Sequence, residues 1–350
     1  MPQDPIRVGI AGLGRSGWAI HAHLLAPITD KYKIVAVTDE DPARRAEAIE
    51  RFGCQAYTSY DELLADPAVE LVVVSLPSFL HAPASVAALK ANKHVVCEKP
   101  MAISMDEADA MVAAADASDK VFTVFQQRRY NPDFVKVREI INSGLLGRIV
   151  QIRIAESKFT RRWDWQTLQK FGGGSLNNTG AHFLDQALQL FGPATPEVFC
   201  QLDRTLTLGD ADDHVKLVFK APDSPTIDIE ISSCDAFPPP TWQVYGTQGG
   251  LTGSTKSLRW KWIVPSELEP RTLDLRPTPD RSYNRDSLPW HEDSWEFEGD
   301  LNEAYRGFYY DLYATIRQGA PLAITPASVR RTMWLQEEAH RLAPLSREFA

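Results

Sequence analysis

Three glycines near the amino terminus have the spacing of a phosphate-binding turn. Gly12, Gly14 and Gly17 follow an apolar segment and precede a helical pattern, the context in which the spacing G-x-G-x-x-G is informative. The first glycine makes the turn, the second lets the backbone approach a pyrophosphate, and the third lets helix and strand pack closely. Arg15 and Ser16 lie at the predicted helix N-terminus, whose N–H groups attract phosphate. A glycine-rich turn without a ligand is the competing interpretation.

An acidic residue stands where such a turn needs a partner for a ribose. Asp39 ends the next predicted strand, about 20 residues beyond Gly17. Its carboxylate is expected to accept hydrogen bonds from ribose hydroxyls and to repel a 2′-phosphate. NAD is therefore favoured over NADP as the cofactor.

Two further residues have side chains that could handle protons. Lys99 follows a predicted strand at its carboxyl end, the edge of an open α/β sheet at which ligands bind. His182 follows three glycines at 172–174 and lies in the first turn of a predicted helix. The helix dipole there disfavours an imidazolium and keeps the ring a neutral base. A surface lysine and a hydrogen-bonded structural histidine are the alternative interpretations.

Aromatic and charged side chains precede this glycine run. Trp163 and Trp165 stand beside Arg161, Arg162 and Asp164. Flat ring faces suit the C–H surface of a sugar, and charged groups suit its hydroxyls. The two tryptophans are therefore candidates for substrate binding, with a place in the core or in an interface as the alternative.

The elements that must position these residues begin with alternating strands and helices. Strands are predicted over 6–11, 32–38, 71–76, 94–97 and 121–125, and helices over 15–26, 42–52, 84–91 and 105–117. Strands that are apolar throughout and separated by helices indicate a parallel sheet covered on both faces. We predict a doubly wound dinucleotide-binding (Rossmann) domain over residues 1–125.

The pattern changes at residue 126. A helix over 132–143 is followed by longer, more polar strands, predicted over 149–159, 197–202, 214–220, 227–233, 242–246 and 258–263. Their alternation indicates a large, mostly antiparallel open sheet with one wet face. Residues 265–300 are predicted to be a long excursion, followed by helices over 302–318 and 326–342. Residues 126–350 are thus expected to form an α+β domain, whose C-terminal helices could pack back on the first domain.

Composition disfavours several other classes of function. A chain of 350 residues suits two domains, and a net charge of −9 with only short basic pairs disfavours nucleic-acid binding. No apolar run approaches the roughly 20 residues that a membrane span needs. The four cysteines are far apart and contain no C-x-x-C, so neither a disulfide framework nor a metal site is expected. With no visible signal peptide, a cytoplasmic location is expected.

Together these motifs resemble the Gfo/Idh/MocA family of oxidoreductases, named after glucose–fructose oxidoreductase, inositol dehydrogenase and a rhizopine-catabolism protein. The resemblance extends over nearly the whole chain. It rests on the segments 12–17, 80–83, 98–100, 128–130, 144–147, 172–185 and 244–251. The Glu-Lys-Pro at 98–100, combined with the glycine run and His182, is the most specific part.

The resemblance implies NAD or NADP on the first domain and a sugar or cyclic polyol between the domains. It implies that Lys99 and His182 are the catalytic pair for oxidation of a secondary alcohol or reduction of the ketone. His182 would take the hydroxyl proton while Lys99 stabilises the charge on the oxygen. A homodimer or homotetramer is expected through the free face of the second sheet.

The predicted site residues fall into two groups. Cofactor binding is expected of Gly12, Gly14, Arg15, Ser16, Gly17, Asp39, Leu76, Pro77, His81, Glu98 and Lys99. Substrate binding is expected of Lys99, Arg129, Tyr130, Trp163, Trp165, Asn178 and His182.

One position departs from the pattern of the family. Many of its dehydrogenases have Asp four residues before the catalytic histidine, where this chain has Asn178. An amide donates and accepts hydrogen bonds but carries no charge. The choice of substrate or the division of acid–base roles is therefore expected to differ from that pattern, with a simple loop or N-cap role for Asn178 as the alternative. Two other functions also stay open on the same scaffold. One is a reaction without net redox change, such as elimination or glycoside cleavage, and the other is a silent sugar or NAD sensor.

Overall fold

A parallel sheet forms the centre of the amino-terminal part of the chain. The computed structural model describes residues 4–277 and 281–349. The strands of this sheet are β1 (Ile6–Ala11), β2 (Tyr32–Thr38), β3 (Gln55–Tyr57), β4 (Leu71–Val74), β5 (His94–Cys97) and β6 (Phe122–Val124). Their order is β3-β2-β1-β4-β5-β6, and all the neighbouring pairs run parallel. The order reverses between β1 and β4, which opens a crevice at the carboxyl ends of these strands.

Helices cover both faces of this sheet. They are α1 (π-helical over Gly17–Ala22, then α-helical over His23–Leu25), α2 (Pro42–Phe52), α3 (Tyr60–Ala65), α4 (His81–Lys90) and α5 (Met105–Asp116). Local sequence sets their ends. Asp41 caps α2, with Pro42 at its first position and a left-handed Gly53 at its end. Ser59 and Glu62 form a reciprocal capping box at α3. The predicted Rossmann fold is confirmed.

A second sheet of mixed direction follows. Its strands are β7 (Ile149–Ser157), β8 (Glu197–Asp203), β9 (His214–Lys220), β10 (Thr226–Ser232), β11 (Trp242–Gly246), β12 (Gly249–Gly253), β13 (Ser257–Trp262) and β14 (His291–Glu296). Their order is β14-β13-β12-β11-β7-β10-β9-β8. The β7–β10 pair is parallel and the other pairs are antiparallel. The predicted mostly antiparallel open sheet is confirmed.

The two faces of this sheet differ in chemistry. One face buries apolar side chains such as Ile154 and Trp242 against α6 (Pro132–Asn142) and α8 (Gly180–Phe191). On the other face, Asp228 accepts ion pairs from Arg153 at 3.3 Å and from Lys216 at 2.6 Å. The alternation along the strands therefore separates a core face from a polar face, as period-two patterning requires.

Two strands of this sheet were not predicted. The strand β12 is rich in glycine, and β14 is a charged, mostly exposed edge strand within the predicted excursion. Neither has the apolar alternation by which a strand is recognised in sequence, and both form because β11 and β13 offer free edges to pair with. Residues 278–280 of that excursion lie outside the described residues.

The chain ends in two helices that contact both sheets. They are α9 (Leu301–Gln318) and α10 (Pro326–Leu342). On the first sheet, Tyr32 donates a hydrogen bond to the carbonyl of Tyr309 at 2.7 Å. Leu335 of α10 belongs to the core beneath the second sheet. In the part of the chain that the structure describes, no helix combines the length and the apolar character that crossing a membrane requires.

Candidate active site

A cavity of about 880 Å³ opens at the carboxyl edge of the parallel sheet, beside the reversal between β1 and β4. Most of the predicted cofactor residues line it: Gly12, Gly14, Arg15, Ser16, Asp39, Leu76, Pro77, His81, Glu98 and Lys99. Gly17 lies behind this wall, in the first turn of α1. The structure thus brings the glycine turn, the acidic residue and Lys99 to one cavity.

The glycine turn has room for a bulky phosphate group. Gly12 has a φ of 88°, and a Cβ there would lie 2.8 Å from the carbonyl oxygen of Ser75. A Cβ on Gly17 would lie 1.8 Å from the carbonyl oxygen of Gly12, so only glycine lets the helix pack this closely. At Gly14, by contrast, a Cβ would meet nothing within 4 Å. The backbone is therefore open towards the cavity where a pyrophosphate would lie, and the residues fit a dinucleotide.

An acidic and a basic side chain, Asp39 and Arg44, line the part of the cavity next to the end of β2. The Asp39 carboxylate accepts hydrogen bonds from the backbone N–H groups of Leu13 at 2.6 Å and Asp41 at 2.9 Å. These bonds hold it at the end of β2. The half-exposed guanidinium of Arg44 lies 3.5 Å from the same carboxylate, and both residues line the cavity.

Lys99 reaches from the first sheet to the second part of the chain. Its Nζ donates a hydrogen bond to Asn178 Oδ1 at 2.7 Å and contacts the carbonyl oxygen of Asn178 at 3.3 Å. Burial lowers the pKa of Lys99 to about 8, the Glu98 charge opposes this effect, and the cations Arg128 and Arg15 add to it. The amino group therefore titrates near neutral pH.

Asn178 is held in one orientation. It ends α7 (Ser175–Asn178), and its Nδ2 donates to Gln166 Oε1 at 3.2 Å. Gln166 Oε1 also accepts from Arg162 at 2.8 Å. The Asn178 side-chain oxygen is thereby turned towards Lys99. Among the described residues, no carboxylate lies within hydrogen-bond distance of the Lys99 Nζ.

His182 lies one helical turn beyond Asn178, in α8. Its side chain is buried, and its Nδ1 has no hydrogen-bond partner among residues 4–277 and 281–349. Burial holds the pKa of His182 well below its usual range, and the charges of Lys99 and Arg128 depress it further. The imidazole is therefore neutral, and its Nδ1 is buried without a partner. Neither His182 nor Asn178 is among the residues that line the cavity. The sequence predicts a neutral ring through the helix dipole, whereas in the structure burial is the largest cause.

A buried aspartate that the sequence analysis missed holds α7 in place. Asp212 Oδ2 accepts a hydrogen bond from the N–H of Leu176 at 2.8 Å, and the Asp212 carbonyl accepts from Ser175 at 2.9 Å. Burial raises the pKa of this carboxyl to about 7. Gly174 lies against it, and a Cβ there would be 2.3 Å from Asp212 Oδ1. The run of aspartates around position 212, at the start of an apolar strand, was the available signal.

Two of the predicted substrate residues outside the cavity lining bind side chains elsewhere in the fold. The Arg129 guanidinium donates to both carboxylate oxygens of Asp185, at 2.7 and 2.6 Å, in a buried ion pair. The Tyr130 hydroxyl donates to Asp311 at 2.6 Å, on α9. Both side chains are committed to structural contacts, so their position does not support the predicted role in substrate binding.

Arg128, which was not predicted, is the arginine beside the site. Its guanidinium lies over the ring of Phe183, 5.1 Å from the ring centroid, and Phe183 directly follows His182. Its charge lowers the pKa of both Lys99 and His182. Sequence alone did not distinguish Arg128 from Arg129, because a short 3₁₀ segment sends adjacent side chains in different directions.

The two predicted tryptophans differ in position. Trp165 lines the cavity together with Gln166 and is 40% exposed. Trp163 is 75% exposed and lies outside the cavity lining. The position of Trp165 agrees with contact to a ligand, and a role for Trp163 stays a prediction.

His81 and Glu98 stabilise the wall of the cavity. The His81 ring nitrogens lie 2.9 Å from the carbonyl of Leu76 and 2.7 Å from that of Pro100. Glu98 Oε1 lies 3.1 Å from His21 Nε2, and Glu98 Oε2 accepts from the Lys99 backbone N–H at 3.0 Å. These contacts fix the backbone from which Lys99 projects.

Two family sequence models match the chain. The Gfo/Idh/MocA model described as an oxidoreductase family with an NAD-binding Rossmann fold matches residues 6–126. The model of the Gfo/Idh/MocA C-terminal domain matches residues 134–252. Together they include the glycine turn, Lys99, Asn178 and His182.

Individual relatives are similar over different lengths. An uncharacterised oxidoreductase of Schizosaccharomyces pombe is 33% identical over 231 residues, which cover 62% of this chain and 61% of the relative. The scyllo-inositol 2-dehydrogenase (NADP(+)) IolW of Bacillus subtilis is 27% identical over 343 residues, or 92% of this chain and 89% of its own length. A levoglucosan dehydrogenase in complex with NADH and levoglucosan superposes with a TM-score of 0.80 at 20% identity, covering 97% of each chain. At that identity the superposition shows the fold.

Proposed function

The chain belongs to the Gfo/Idh/MocA family of oxidoreductases with an NAD-binding Rossmann fold, and from this premise we propose the reaction that it catalyses. It transfers a hydride between a nicotinamide cofactor and a secondary alcohol or ketone of a sugar or cyclic polyol. The observation that carries this proposal is the contact of Lys99 with Asn178, one helical turn from the unpartnered Nδ1 of His182. Lys99, a hydrogen-bond donor, lines the dinucleotide-sized cavity, and its contact with Asn178 brings it to the chain segment that bears His182, the proposed proton acceptor.

The two side chains divide the work on one substrate oxygen. Nicotinamide, when bound, supplies the hydride acceptor or donor. In the direction of oxidation, the neutral His182 imidazole accepts the hydroxyl proton, directly or through a relay. The Lys99 ammonium uses two hydrogens on Asn178 and keeps its third for the substrate oxygen, on which negative charge develops. In the direction of reduction the same groups return the proton.

We further propose that NAD is preferred over NADP. The Asp39 carboxylate stands at the end of β2, where the adenosine ribose of a dinucleotide lies in this fold. Its negative charge repels a 2′-phosphate. Arg44 beside it would attract the same 2′-phosphate. We expect the repulsion by Asp39 to dominate, because Asp39 is the more buried of the two side chains. Because the name of the B. subtilis relative includes NADP(+), the preference of this protein between NAD and NADP needs to be measured directly.

Sugars and cyclic polyols are the proposed substrates because of the relatives as well as the site. The names of two similar proteins refer to scyllo-inositol and levoglucosan, both rich in secondary hydroxyls. Trp165 at the cavity offers a ring face to C–H groups, and Gln166 offers an amide to hydroxyls.

We also propose a homodimer or homotetramer through the polar face of the second sheet, which sedimentation of the purified protein would test.

A substrate panel tests the proposed function. The purified protein is incubated with aldoses, sugar acids and cyclic polyols in the presence of NAD or NADP, and the absorbance of the reduced nicotinamide is followed. Lys99→Met serves as the matched control for background turnover. Stoichiometric reduction with at least one substrate supports the dehydrogenase. Substrate conversion without net reduction assigns the non-redox alternative, and cofactor binding without any conversion assigns the sensor.

A further inference from the structure

A row of hydrogen bonds leads from a partly exposed arginine to Lys99. Arg162 donates to Gln166 Oε1 at 2.8 Å, and Asn178 Nδ2 donates to the same oxygen at 3.2 Å. Asn178 Oδ1 then accepts from the Lys99 Nζ at 2.7 Å. Two cations therefore stand at the ends of this row, with two amides between them.

The cations at the ends fix the direction of the bonds between them. A guanidinium and an ammonium donate hydrogen bonds and accept none. Arg162 therefore requires the oxygen of the Gln166 amide. Lys99 in the same way requires the oxygen of the Asn178 amide. If the Asn178 amide were flipped, its NH2 group would face the Lys99 ammonium and its oxygen would face Gln166 Oε1, so both contacts would be repulsive.

The surrounding loop holds Gln166 firmly. The Gln166 backbone N–H donates to Asp164 at 3.1 Å, and the Gln166 carbonyl oxygen accepts from the N–H of Gly174 at 2.9 Å. A Cβ on Gly173 would lie 2.3 Å from that carbonyl oxygen, so the glycine run packs directly against it. Asp164 also binds the Arg162 guanidinium through two hydrogen bonds, at 2.8 and 3.0 Å. The same loop thus fixes the backbone of Gln166 and the cation that binds its side chain.

We propose that Gln166 is a positioning residue, which acts through Asn178 to keep a hydrogen-bond acceptor on the Lys99 amino group. An amide has one accepting end and one donating end, so Asn178 can bind Lys99 through its side chain in only one of two orientations. The bond from Asn178 Nδ2 to Gln166 selects that orientation before any substrate binds. The effect on turnover rests on the proposed function, whereas the effect on the Lys99 amino group does not depend on a substrate.

Two substitutions of Gln166 test this inference. Gln166→Met removes the acceptor at a similar side-chain length, so the Asn178 amide should populate both orientations. Gln166→Glu keeps an oxygen for both donors. The pH dependence of Lys99 acetylation by acetic anhydride, followed by mass spectrometry of peptides, reports the protonation of the amino group without a substrate. The other titratable and charged groups around Lys99 are the same in both variants: Arg15, Glu98, Arg128, Arg162 and His182.

The acetylation midpoint should respond to the orientation of Asn178. In the wild type it is expected near pH 8, because burial lowers the pKa of Lys99 to about 8. In Gln166→Met it should fall by about half a pH unit or more, because an NH2 group facing the ammonium disfavours the charged form. In Gln166→Glu it should stay at the wild-type value or rise. An unmoved midpoint in Gln166→Met, or a lowered one in Gln166→Glu, would overturn the inference.

Turnover tests the consequence for catalysis. On the substrate that the panel identifies, Gln166→Met should lower kcat by about 10- to 100-fold, the value of a hydrogen bond to a charged group. The loss should depend on Asn178. In the Asn178→Asp background the carboxylate has two equivalent oxygens and no orientation to select, so Gln166→Met should change kcat by no more than about 2-fold. An equal loss in both backgrounds would show that Gln166 does not act through Asn178.

The conservative variant covers the case in which Gln166→Met does not fold. Gln166→Glu preserves both accepted hydrogen bonds and should retain kcat within about 2-fold of the wild type. A 10-fold or larger loss of kcat in Gln166→Glu would contradict the positioning role.

A second glutamine of the same loop is the matched control. Gln169 Nε2 donates to the carbonyl oxygens of Asp210 at 2.6 Å and Ser346 at 3.0 Å, away from Asn178. Gln169→Met should lower the stability of the loop but leave the acetylation midpoint of Lys99 unmoved. A shift as large as that of Gln166→Met would assign the effect to the loop as a whole and overturn the inference. Absence of nicotinamide reduction by the wild type with every substrate would instead overturn the proposed function, and acetylation would still decide the inference.

Discussion

Asn178 determines the electrostatic state of the residues around it. Its amide oxygen binds the Lys99 amino group at 2.7 Å without contributing a charge. The pKa of Lys99 therefore falls to about 8 through burial, and the nearby cations push it the same way. The proton on Lys99 is consequently available to a substrate oxygen near neutral pH and is lost in mildly alkaline solution.

Asn178→Asp should move the alkaline limb of the pH profile. A carboxylate in hydrogen-bond contact with the ammonium favours its charged form and raises the pKa of Lys99 by about one unit or more. In the wild type, kcat for ketone reduction should fall as the pH rises through about 8, because Lys99 loses its proton. In the variant that fall should begin at higher pH. Steady-state kinetics across the alkaline range would detect the shift, and an unmoved limb would show that Lys99 is not the titrating group.

Asp39→Ser should reduce the preference for NAD. The substitution removes the charge that repels a 2′-phosphate and leaves the Arg44 guanidinium beside the ribose position. We expect the ratio of kcat/KM for NAD to that for NADP to fall by about 10-fold or more, as for other single charged contacts. Arg44→Ala is the control and should change the ratio in the opposite direction. A wild-type enzyme that already prefers NADP would contradict the assignment.

A sequence reveals residues that belong to local motifs, but it does not reveal which side chains meet across long stretches of chain. The glycine turn, Asp39, Lys99 and His182 could be singled out because their spacing relative to strands and helices is local. The distinction between Arg128 and Arg129 could not be made, since it depends on which side chain meets Asp185 and which meets Phe183. These partners lie more than 50 residues further along the chain.

At the scale of elements, the short helix α7 depends on a cap from a distant strand start. Asp212 binds the N–H of Leu176, and Gly174 adopts a φ of 107° against it. A helix this short cannot be stable by itself, because its first turn leaves backbone N–H groups unpaired. The position of Asn178, and with it the contact to Lys99, follows from this cap.

The difference in stability between Asp212→Asn and the wild type should shift in favour of the variant as the pH rises. The folded-state pKa of Asp212 is about 7, above the usual value, so the folded protein holds a proton that the unfolded chain releases. The wild type therefore loses stability between mildly acidic and neutral pH, whereas the variant does not. The difference in Tm, variant minus wild type, should increase by roughly 2 °C or more from mildly acidic to mildly alkaline buffer.

The neighbouring Asp213 provides a control, because its pKa is shifted in the opposite direction. Burial raises the pKa of Asp213, but hydrogen bonds from the backbone N–H groups of Thr205, Leu206 and Thr207 together outweigh it and hold the pKa below its usual range. Its stabilising contribution is complete above the unfolded-state pKa. Asp213→Asn should lower Tm by the same amount in both buffers. A pH-independent difference for Asp212→Asn as well would contradict the raised pKa.

Arg129 joins three elements and should matter for stability rather than for substrate. Besides Asp185 of α8, its guanidinium donates to Ser328 of α10 at 3.0 Å. Arg129→Met leaves the Asp185 carboxylate buried without its partner, which should cost about 3 to 5 kcal/mol of unfolding free energy. Urea denaturation would measure the loss, and Arg129→Met combined with Asp185→Leu should recover part of it. A large rise in KM at unchanged stability would restore the predicted role in substrate binding.

Elements with local signals were predictable, and elements formed by pairing were not. The bounds of β1, β2 and α2 follow from apolar runs, a proline and a capping aspartate within the segments themselves. The strand β14 has five exposed residues out of six and is a strand because β13 pairs with it. The π-helical turn in α1 also had no sequence signal, since π and α turns use the same residue types.

At the scale of the whole molecule, the C-terminal helices connect the two sheets. Tyr309 of α9 lies in the core of the first sheet, and its hydroxyl is 2.6 Å from His21 Nδ1. His21 in turn contacts Glu98, the residue before Lys99. The α10 helix contributes to both cores through Met333 and Leu335. The parts of the chain that bear Lys99 and His182 are thus held together by buried contacts.

The turnover of two variants tests this arrangement most directly. Lys99→Ala and His182→Ala are assayed for kcat on the substrate that the panel identifies, and their affinity for NAD is measured by fluorescence. Loss of a positioned acid or base should lower kcat by about 10²- to 10⁴-fold, while the glycine turn and Asp39 keep NAD binding intact. A His182→Ala enzyme with the kcat of the wild type would contradict the account.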